Sequence, residues 1–257
     1  MITDLLRSEL RKTFTVKLWW AMGLGPLAVG VLAGSLSLAV FGGGAGGSEL
    51  NGGGVSSVIG LFTALYFLLM FAAIFGALNS SGEYRHKTIT TTFLTTSSRG
   101  FSLAAKLVIS ALVGLLYAVV IEIVTIALIA LVSKGPLPPV DGQVAGFLVV
   151  ALTVTVLWTL LGAGLGTVLA SSIGSSIGIV VYYLLGEILL GALLHSAGAD
   201  AATRFLPQRA TLGALVNTSS VGDDSFLPWW GGLLTLAVWA AALCTGGWAL
   251  NRVRDVG

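Results

Sequence analysis

Two acidic residues, Glu122 and Glu187, lie inside long apolar stretches of the chain. An ionisable side chain at membrane depth is costly, so such a residue is a functional candidate by default. A carboxyl group there can carry a proton, contact a substrate or accept hydrogen bonds from a neighbouring helix. The sequence names no cationic partner for either acid, so both are candidates for a substrate path, and a structural role is the alternative for each.

A polar and basic stretch, SSGEYRHKTITTTFLTTSSRGFSLAAKL at positions 80–107, separates two apolar runs. Four of the 13 Lys and Arg residues fall in it: Arg85, Lys87, Arg99 and Lys106. Ile89, Phe93 and Leu94 form a small apolar face at roughly one-turn spacing, and charged residues, including Glu83, surround it. A soluble partner could bind both the apolar face and the charges. A solvated loop on the positively charged side of a membrane is the alternative.

Catalytic and metal-binding patterns are missing from the sequence. It has no H-E-x-x-H pair for zinc, and its two histidines, His86 and His195, fall on opposite sides of the predicted membrane. It has no Walker-type G-x-x-x-x-G-K-[ST] motif, so the chain is not expected to bind ATP itself. No basic run carries the interleaved aromatic residues of a nucleic-acid surface. We therefore expect a chain without catalytic activity that binds no cofactor, metal or nucleic acid.

The elements that position these residues follow from the composition. Hydrophobic residues make up 56% of the 257-residue chain and charged residues 9%, whereas about a quarter of the residues in soluble domains are charged. A spanning helix needs roughly 20 mostly apolar residues. Six stretches meet this length: Leu18–Phe41, Val55–Asn79, Ala104–Val132, Val144–Ala170, Ile173–Leu194 and Trp229–Leu250. The sequence predicts an all-α polytopic membrane protein with six transmembrane helices.

Short polar and glycine patterns refine this prediction. The fourth and fifth spans are separated only by SSIGSS at positions 171–176. We interpret this sequence as a tight turn, because one continuous helix would greatly exceed the membrane thickness. Pairs of glycines four residues apart, Gly162 with Gly166 and Gly174 with Gly178, let helices approach closely, and we expect them to serve packing inside the bundle.

The orientation follows from the positive charges in the short loops. With both termini inside, ten of the 13 Lys and Arg residues are on the inner side, so both ends and the loop at 80–106 are predicted to be cytoplasmic. The segment 195–228 is then extracytoplasmic, with room for one or two short helices at the outer surface. Residues 1–17 form a predicted amphipathic helix along the inner surface, and its apolar face comprises Ile2, Leu5, Leu6, Leu10 and Phe14.

The loop carries a recognisable series of residues: Glu83, Arg85, Thr88, Ile89, Ser98, Arg99 and Lys106. In this order and spacing it resembles the cytoplasmic loop of ABC-2 type permeases, the membrane subunits of a class of ATP-driven exporters. Lys87 stands where that family usually has Gly, and Ser97 where it usually has Pro. The likeness extends to the whole chain, with an amphipathic N-terminus, six spans, both ends inside and a long outer segment before the last helix.

The resemblance implies a single permease domain over residues 1–257 in the cytoplasmic membrane of a bacterium. Two copies of a separate ATPase subunit, which would hold the ATP and Mg, would drive export of an apolar or amphipathic substrate such as a drug, a peptide antibiotic or a lipid-like molecule. A second permease chain, identical or homologous, would complete the path. A proton-coupled transporter that uses Glu122 or Glu187, or a non-transporting immunity or assembly factor, is the alternative.

Overall fold

The fold was analysed in a computed structural model, which describes residues 2–15, 18–41, 52–85, 99–132, 142–216 and 226–253. Over these ranges the chain forms helices joined by short turns, and no strand occurs among them. The helices, named in chain order, are α1 Ile2–Thr15, α2 Leu18–Phe41, α3 Gly52–Arg85, α4 Arg99–Val132, α5 Gly142–Leu169, α6 Ser172–Ser196, α7 Pro207–Val216 and α8 Trp229–Val253. The predicted all-helical fold class is confirmed for these ranges.

Five helices are long and apolar enough to cross a membrane. In the described residues these segments are Ala64–Gly82, Gly100–Ala127, Gly142–Leu169, Ser172–Ser196 and Trp229–Arg252. They belong to α3, α4, α5, α6 and α8, and they coincide with five of the six predicted spans. Helix α2 has the bounds predicted for the first span, and its crossing of the membrane stays a prediction.

Helix α3 is the centre of the bundle and packs against α2, α4, α5 and α6. Its closest contact is with α5, where glycines remove the side chains that would keep the backbones apart. A Cβ atom at Gly162 would overlap the backbone of Ala73, and one at Gly166 would overlap that of Ala77. This pair therefore serves packing inside the molecule, as the sequence predicts. A Cβ atom at Gly178 of α6 would meet open space.

The turn between α5 and α6 is as tight as the sequence predicts. Ala170 has a φ of 49°, a left-handed conformation that reverses the chain direction between the two helices. The hydroxyl of Ser171 then accepts a hydrogen bond from the backbone N–H of Gly174 at 3.1 Å and caps α6. Residues 142–196 therefore form two helices rather than one bent helix.

The segment before α8 forms short helices, as the sequence predicts. These are a 3-10 turn at Asp200–Phe205 and α7, and one side of α7 is buried. Ala210 and Ala214 are fully buried against α8, and a Cβ atom at Gly232 of α8 would overlap the α7 backbone. The glycine and alanines let the two backbones touch, which brings α7 into the bundle.

Candidate functional sites

The predicted docking loop is only partly within the described residues. Glu83 and Arg85 lie in the last turn of α3, and Arg99 begins α4; the side chains of these three lie outside the description. Thr88, Ile89, Phe93 and Leu94 fall in residues 86–98, which also lie outside it. Helix α3 continues beyond the predicted span end at Asn79, and α4 begins before Ala104.

A buried cluster of charges lies next to this loop. The carboxylate of Glu9 in α1 accepts a hydrogen bond from Lys106 of α4 at 2.9 Å and one from Lys12 at 2.7 Å. Glu9 is 2% exposed and Lys106 is 6% exposed. The pair joins the N-terminal helix to the second turn of α4. Lys106, which the sequence places where the predicted loop meets the predicted third span, is thus buried in the bundle.

The charges around Glu9 determine its protonation state. Burial by itself raises the pKa of this carboxyl group. The positive charge of Lys106 and the hydrogen bonds from both lysines outweigh burial, so the pKa of Glu9 lies below its ordinary value of 4.5. Glu9 is therefore ionised at neutral pH, and the cluster holds one negative and two positive charges.

Helix α1 faces the bundle with its polar side. Its buried side chains are those of Glu9 and Thr13, whereas Leu6 and Leu10 are half-buried and Phe14 is exposed. The predicted placement of the apolar face along the inner membrane surface stays a prediction. The side chains of Ile2 and Leu5 lie outside the description.

Serine and asparagine side chains join the helices at the same end. Ser81 of α3 donates to the hydroxyl of Ser172 at the start of α6, at 3.0 Å. Asn79 of α3 donates to Ser110 of α4 at 2.9 Å. The bonds connect the end of α3 to the two helices beside it, so a displacement of the loop would reach α4 and α6 through α3.

Glu187 caps the buried helix α7. Its two carboxylate oxygens accept hydrogen bonds from the backbone N–H groups of Gln208 and Arg209, at 2.8 and 2.6 Å. The first N–H groups of a helix lack partners within the helix and carry a partial positive charge, and a carboxylate satisfies both. Glu187 therefore acts as the N-cap of α7, although it belongs to a different helix, α6.

The position of Glu187 places the start of α7 deep in the bundle. Glu187 lies about 22 Å along α6 from Ser172 and about 14 Å from Ser196, at 1.5 Å per residue. The chain therefore leaves the Ser196 end of α6, returns to the level of Glu187 and rises again through α7. We call α7 the re-entrant helix, because the chain turns back into the bundle from the Ser196 end of α6 and leaves toward the same end.

A π-turn at Tyr182–Gly186 precedes Glu187 in α6. The carbonyl oxygen of Tyr183 in this turn accepts a hydrogen bond from the side-chain amide of Gln208 at 2.6 Å. The hydroxyl of Tyr183 donates to the backbone carbonyl of Tyr66 in α3 at 2.6 Å. Side-chain and backbone groups of one turn therefore hold α3, α6 and the start of α7 together.

Two tryptophans hold the re-entrant segment from its other sides. The indole N–H of Trp158 in α5 donates to the hydroxyl of Thr211 in α7 at 2.9 Å. That of Trp239 in α8 donates to the carbonyl oxygen of Phe205 at 3.0 Å. Each tryptophan is satisfied by the segment, so three spans fix its position.

Glu122, the other candidate acid, has no such partners. It is 7% exposed on α4, and its Oε1 atom has no hydrogen-bond partner among the described residues. Among the described residues, Glu122 and Glu187 share no hydrogen-bonded cluster. Of the two predicted path residues, Glu187 has a visible structural function, and Glu122 retains an unused acceptor atom.

The Glu9 cluster was missed by the sequence analysis, although a signal was present. Lys106 lies within the predicted span Ala104–Val132, and a cation inside an apolar helix requires an acidic partner. The α7 cap gave no comparable signal, because backbone N–H groups are not visible in a sequence. Among the described residues no group of three His, Cys, Asp or Glu side chains could hold a metal ion.

The fold and the polar sites define the class as a membrane-embedded helical protein with five described apolar helices and a re-entrant helix. Neither protein-family models nor curated proteins give a match to the chain.

Proposed function

We propose that the chain is the transmembrane permease subunit of an ABC-2 type transporter. Two copies of a separate ATPase subunit would hydrolyse ATP and drive export of an apolar or amphipathic substrate, with a second permease chain completing the path. The loop between α3 and α4 carries this proposal, because its residues from Glu83 to Arg99 resemble the cytoplasmic loop of that family. In the proposal α2 is the sixth span, and both termini lie on the cytoplasmic side with the loop.

The connections of the loop support this function. A movement of residues 86–98 enters the bundle through α3, which packs against four other helices, and through α4, which holds α1 by the Glu9–Lys106 pair. Buried hydrogen bonds from Asn79 and Ser81 join the same helices. Packed interiors transmit displacement with little compression. A soluble ATPase that displaced the loop would therefore move several spans together.

A proton-coupled transporter is the second candidate, and the unpartnered Oε1 atom of Glu122 favours it. Efflux from vesicles that contain the permease and its ATPase distinguishes the two. With ATP supplied and the proton gradient removed by an uncoupler, we expect efflux at the rate of untreated vesicles. Efflux that requires the gradient and not ATP would refute the proposal and support the proton-coupled alternative.

Variants of the loop test the docking of the ATPase. Arg99→Glu, Glu83→Arg and Phe93→Asp should lower co-purification with the ATPase and its stimulation, with thermal stability near that of the wild type. Arg204→Glu, a charge reversal on the exposed 3-10 turn at the other end of the molecule, is the matched control and should change neither. Normal co-purification and stimulation in all three loop variants would contradict docking at the loop.

A further inference from the structure

The buried Glu9 fixes the rotation of α1 about its own axis. Glu9 and Thr13 face the bundle, and Glu9 contacts Lys106. Successive residues of an α-helix are rotated by about 100°, so Arg7 and Arg11, each two residues from Glu9, are rotated from it by about 160° in opposite directions. Both arginines are exposed. The contact with α4 therefore directs two guanidinium groups away from the protein.

Between the Glu9 face of α1 and the opposite edge, which carries Arg7 and Arg11, the two remaining sides of the helix differ in polarity. One side comprises Leu6, Leu10 and Phe14, of which Phe14 is 43% exposed and packs its ring against Trp19 at 4.9 Å. The other comprises polar residues, among them Lys12, which also binds Glu9. An apolar side next to a basic edge is the pattern of a helix that lies at a membrane surface, with its leucines toward the acyl chains and its cations among the headgroups.

The location of α1 agrees with this pattern. Glu9 lies beside the second turn of α4, at the end of the bundle where Ser81, Ser102 and Ser172 are buried. The chain then passes Trp19 and Trp20 as it enters α2, and tryptophan is enriched at membrane–water boundaries. This location suits a helix that lies at headgroup level.

The charges on the exposed edge are uncompensated. Arg7 and Arg11 are four residues apart, a spacing that puts like charges side by side and is unfavourable without an anion. Glu9 is occupied by the two lysines, and within the described residues neither arginine forms an ion pair. Two guanidinium groups at this spacing suit the oxygens of one phosphate.

We propose that Arg7 and Arg11 form a binding surface for the phosphate headgroup of an anionic membrane lipid. The apolar side of α1 packs on the acyl chains of that lipid, and the Glu9–Lys106 pair keeps the arginines pointed toward it. The surface belongs to this chain alone and does not depend on the proposed transport function or on an ATPase.

Lipid retention by the full-length protein tests the surface. The protein is purified in detergent with equal amounts of phosphatidylglycerol and phosphatidylcholine, and native mass spectrometry measures the lipids that remain bound. The wild type should prefer phosphatidylglycerol. Arg7→Gln with Arg11→Gln should bind it about 30-fold more weakly, because each basic residue near a surface contributes about a factor of five. Arg204→Gln, at an exposed arginine of the 3-10 turn far from α1 in sequence, is the control and should leave retention unchanged.

Two further measurements distinguish a loss of charge from a loss of folding, and a lipid from a free phosphate. Arg7→Lys with Arg11→Lys keeps the charge and should retain the preference for phosphatidylglycerol, which shows that the glutamine variant lost charge rather than folding. Glycerol phosphate, which has the headgroup chemistry without acyl chains, should not compete. Equal retention of phosphatidylglycerol by the wild type and the glutamine variant, or full competition by glycerol phosphate, would overturn the proposal of a lipid surface.

Discussion

Glu9, which is buried, and Glu187, which is half-buried, are both held by two hydrogen-bond donors, and they differ in the kind of donor. Glu9 is held by two lysine ammonium groups, one of them on another helix. Glu187 is held by two backbone N–H groups of a short helix. Removal of the first carboxylate leaves a buried cation, whereas removal of the second leaves neutral donors. We therefore expect the cost of losing each acid to follow from its partners rather than from its depth.

The largest effect is expected where a cation loses its partner. Glu9→Gln should destabilise the protein by about 3–5 kcal/mol, because Lys106 stays buried without a compensating charge. Glu9→Gln combined with Lys106→Met should recover most of the loss. Thermal unfolding in detergent measures both. If the double variant is as unstable as Glu9→Gln alone, the stability that Glu9 provides does not come from its ion pair with Lys106.

A smaller and more local loss of stability is expected at Glu187, which caps α7. Glu187→Gln keeps one acceptor oxygen but turns an amide toward the second N–H group, which should cost about 1–2 kcal/mol. Faster hydrogen exchange at Gln208 and Arg209, with unchanged exchange in α1, would sharpen the contrast with Glu9. If exchange rises equally throughout the protein, the cap is not a local element.

The pH dependence of the stability tests the contribution of Glu9. The folded-state pKa of Glu9 is lowered below 4.5, so its contribution is fully present above the unfolded pKa and is lost as the pH falls through the folded value. The stability difference between wild type and Glu9→Gln should therefore be constant near neutral pH and shrink below about pH 4.5. Acid titration of both proteins, followed by tryptophan fluorescence, checks this; a difference that grows in acid would reverse the assignment.

The smallest effect is expected at Glu122. Its Oε1 atom has no partner in the described residues, so Glu122→Gln removes no bond at that atom and should change the stability by less than about 1 kcal/mol. The same thermal assay applies, with Glu187→Gln as the comparison. A loss larger than that of Glu187→Gln would show that Glu122 also has a strong partner and would remove the contrast among the three acids.

Five of the predicted spans coincide with long apolar helices in the described residues, because a long apolar run is visible in the sequence. The ends of the helices could not be predicted, because α3 and α4 extend past the apolar runs with residues such as Ser81 and Ser102, which are buried by neighbouring helices. The re-entrant α7 was beyond sequence reasoning for a related reason. Its ten residues are too few to span a membrane, and only contact with Gly232 and Glu187 decides where they lie.

A candidate site could be predicted where its residue is unusual for the segment that contains it. Glu187 attracted attention as an acid in an apolar run, but its partners are peptide groups more than 20 positions away. Glu9 did not, because an acid among arginines and lysines at a terminus is ordinary. Its importance follows from Lys106, which lies 97 positions away, and no local pattern connects the two.

The π-turn at Tyr182–Gly186 has a consequence for how chains of this fold can differ in length. A π-turn holds one residue more than the α-helical turn it replaces, and the helix on either side keeps its direction and its face. A relative that lacks one residue here would have an unbroken helix and would still present its acid to α7. A deletion earlier in α6 would instead rotate that acid by about 100° away from it. In an alignment, a one-residue gap is therefore expected within 182–186 and not in the ten positions before it.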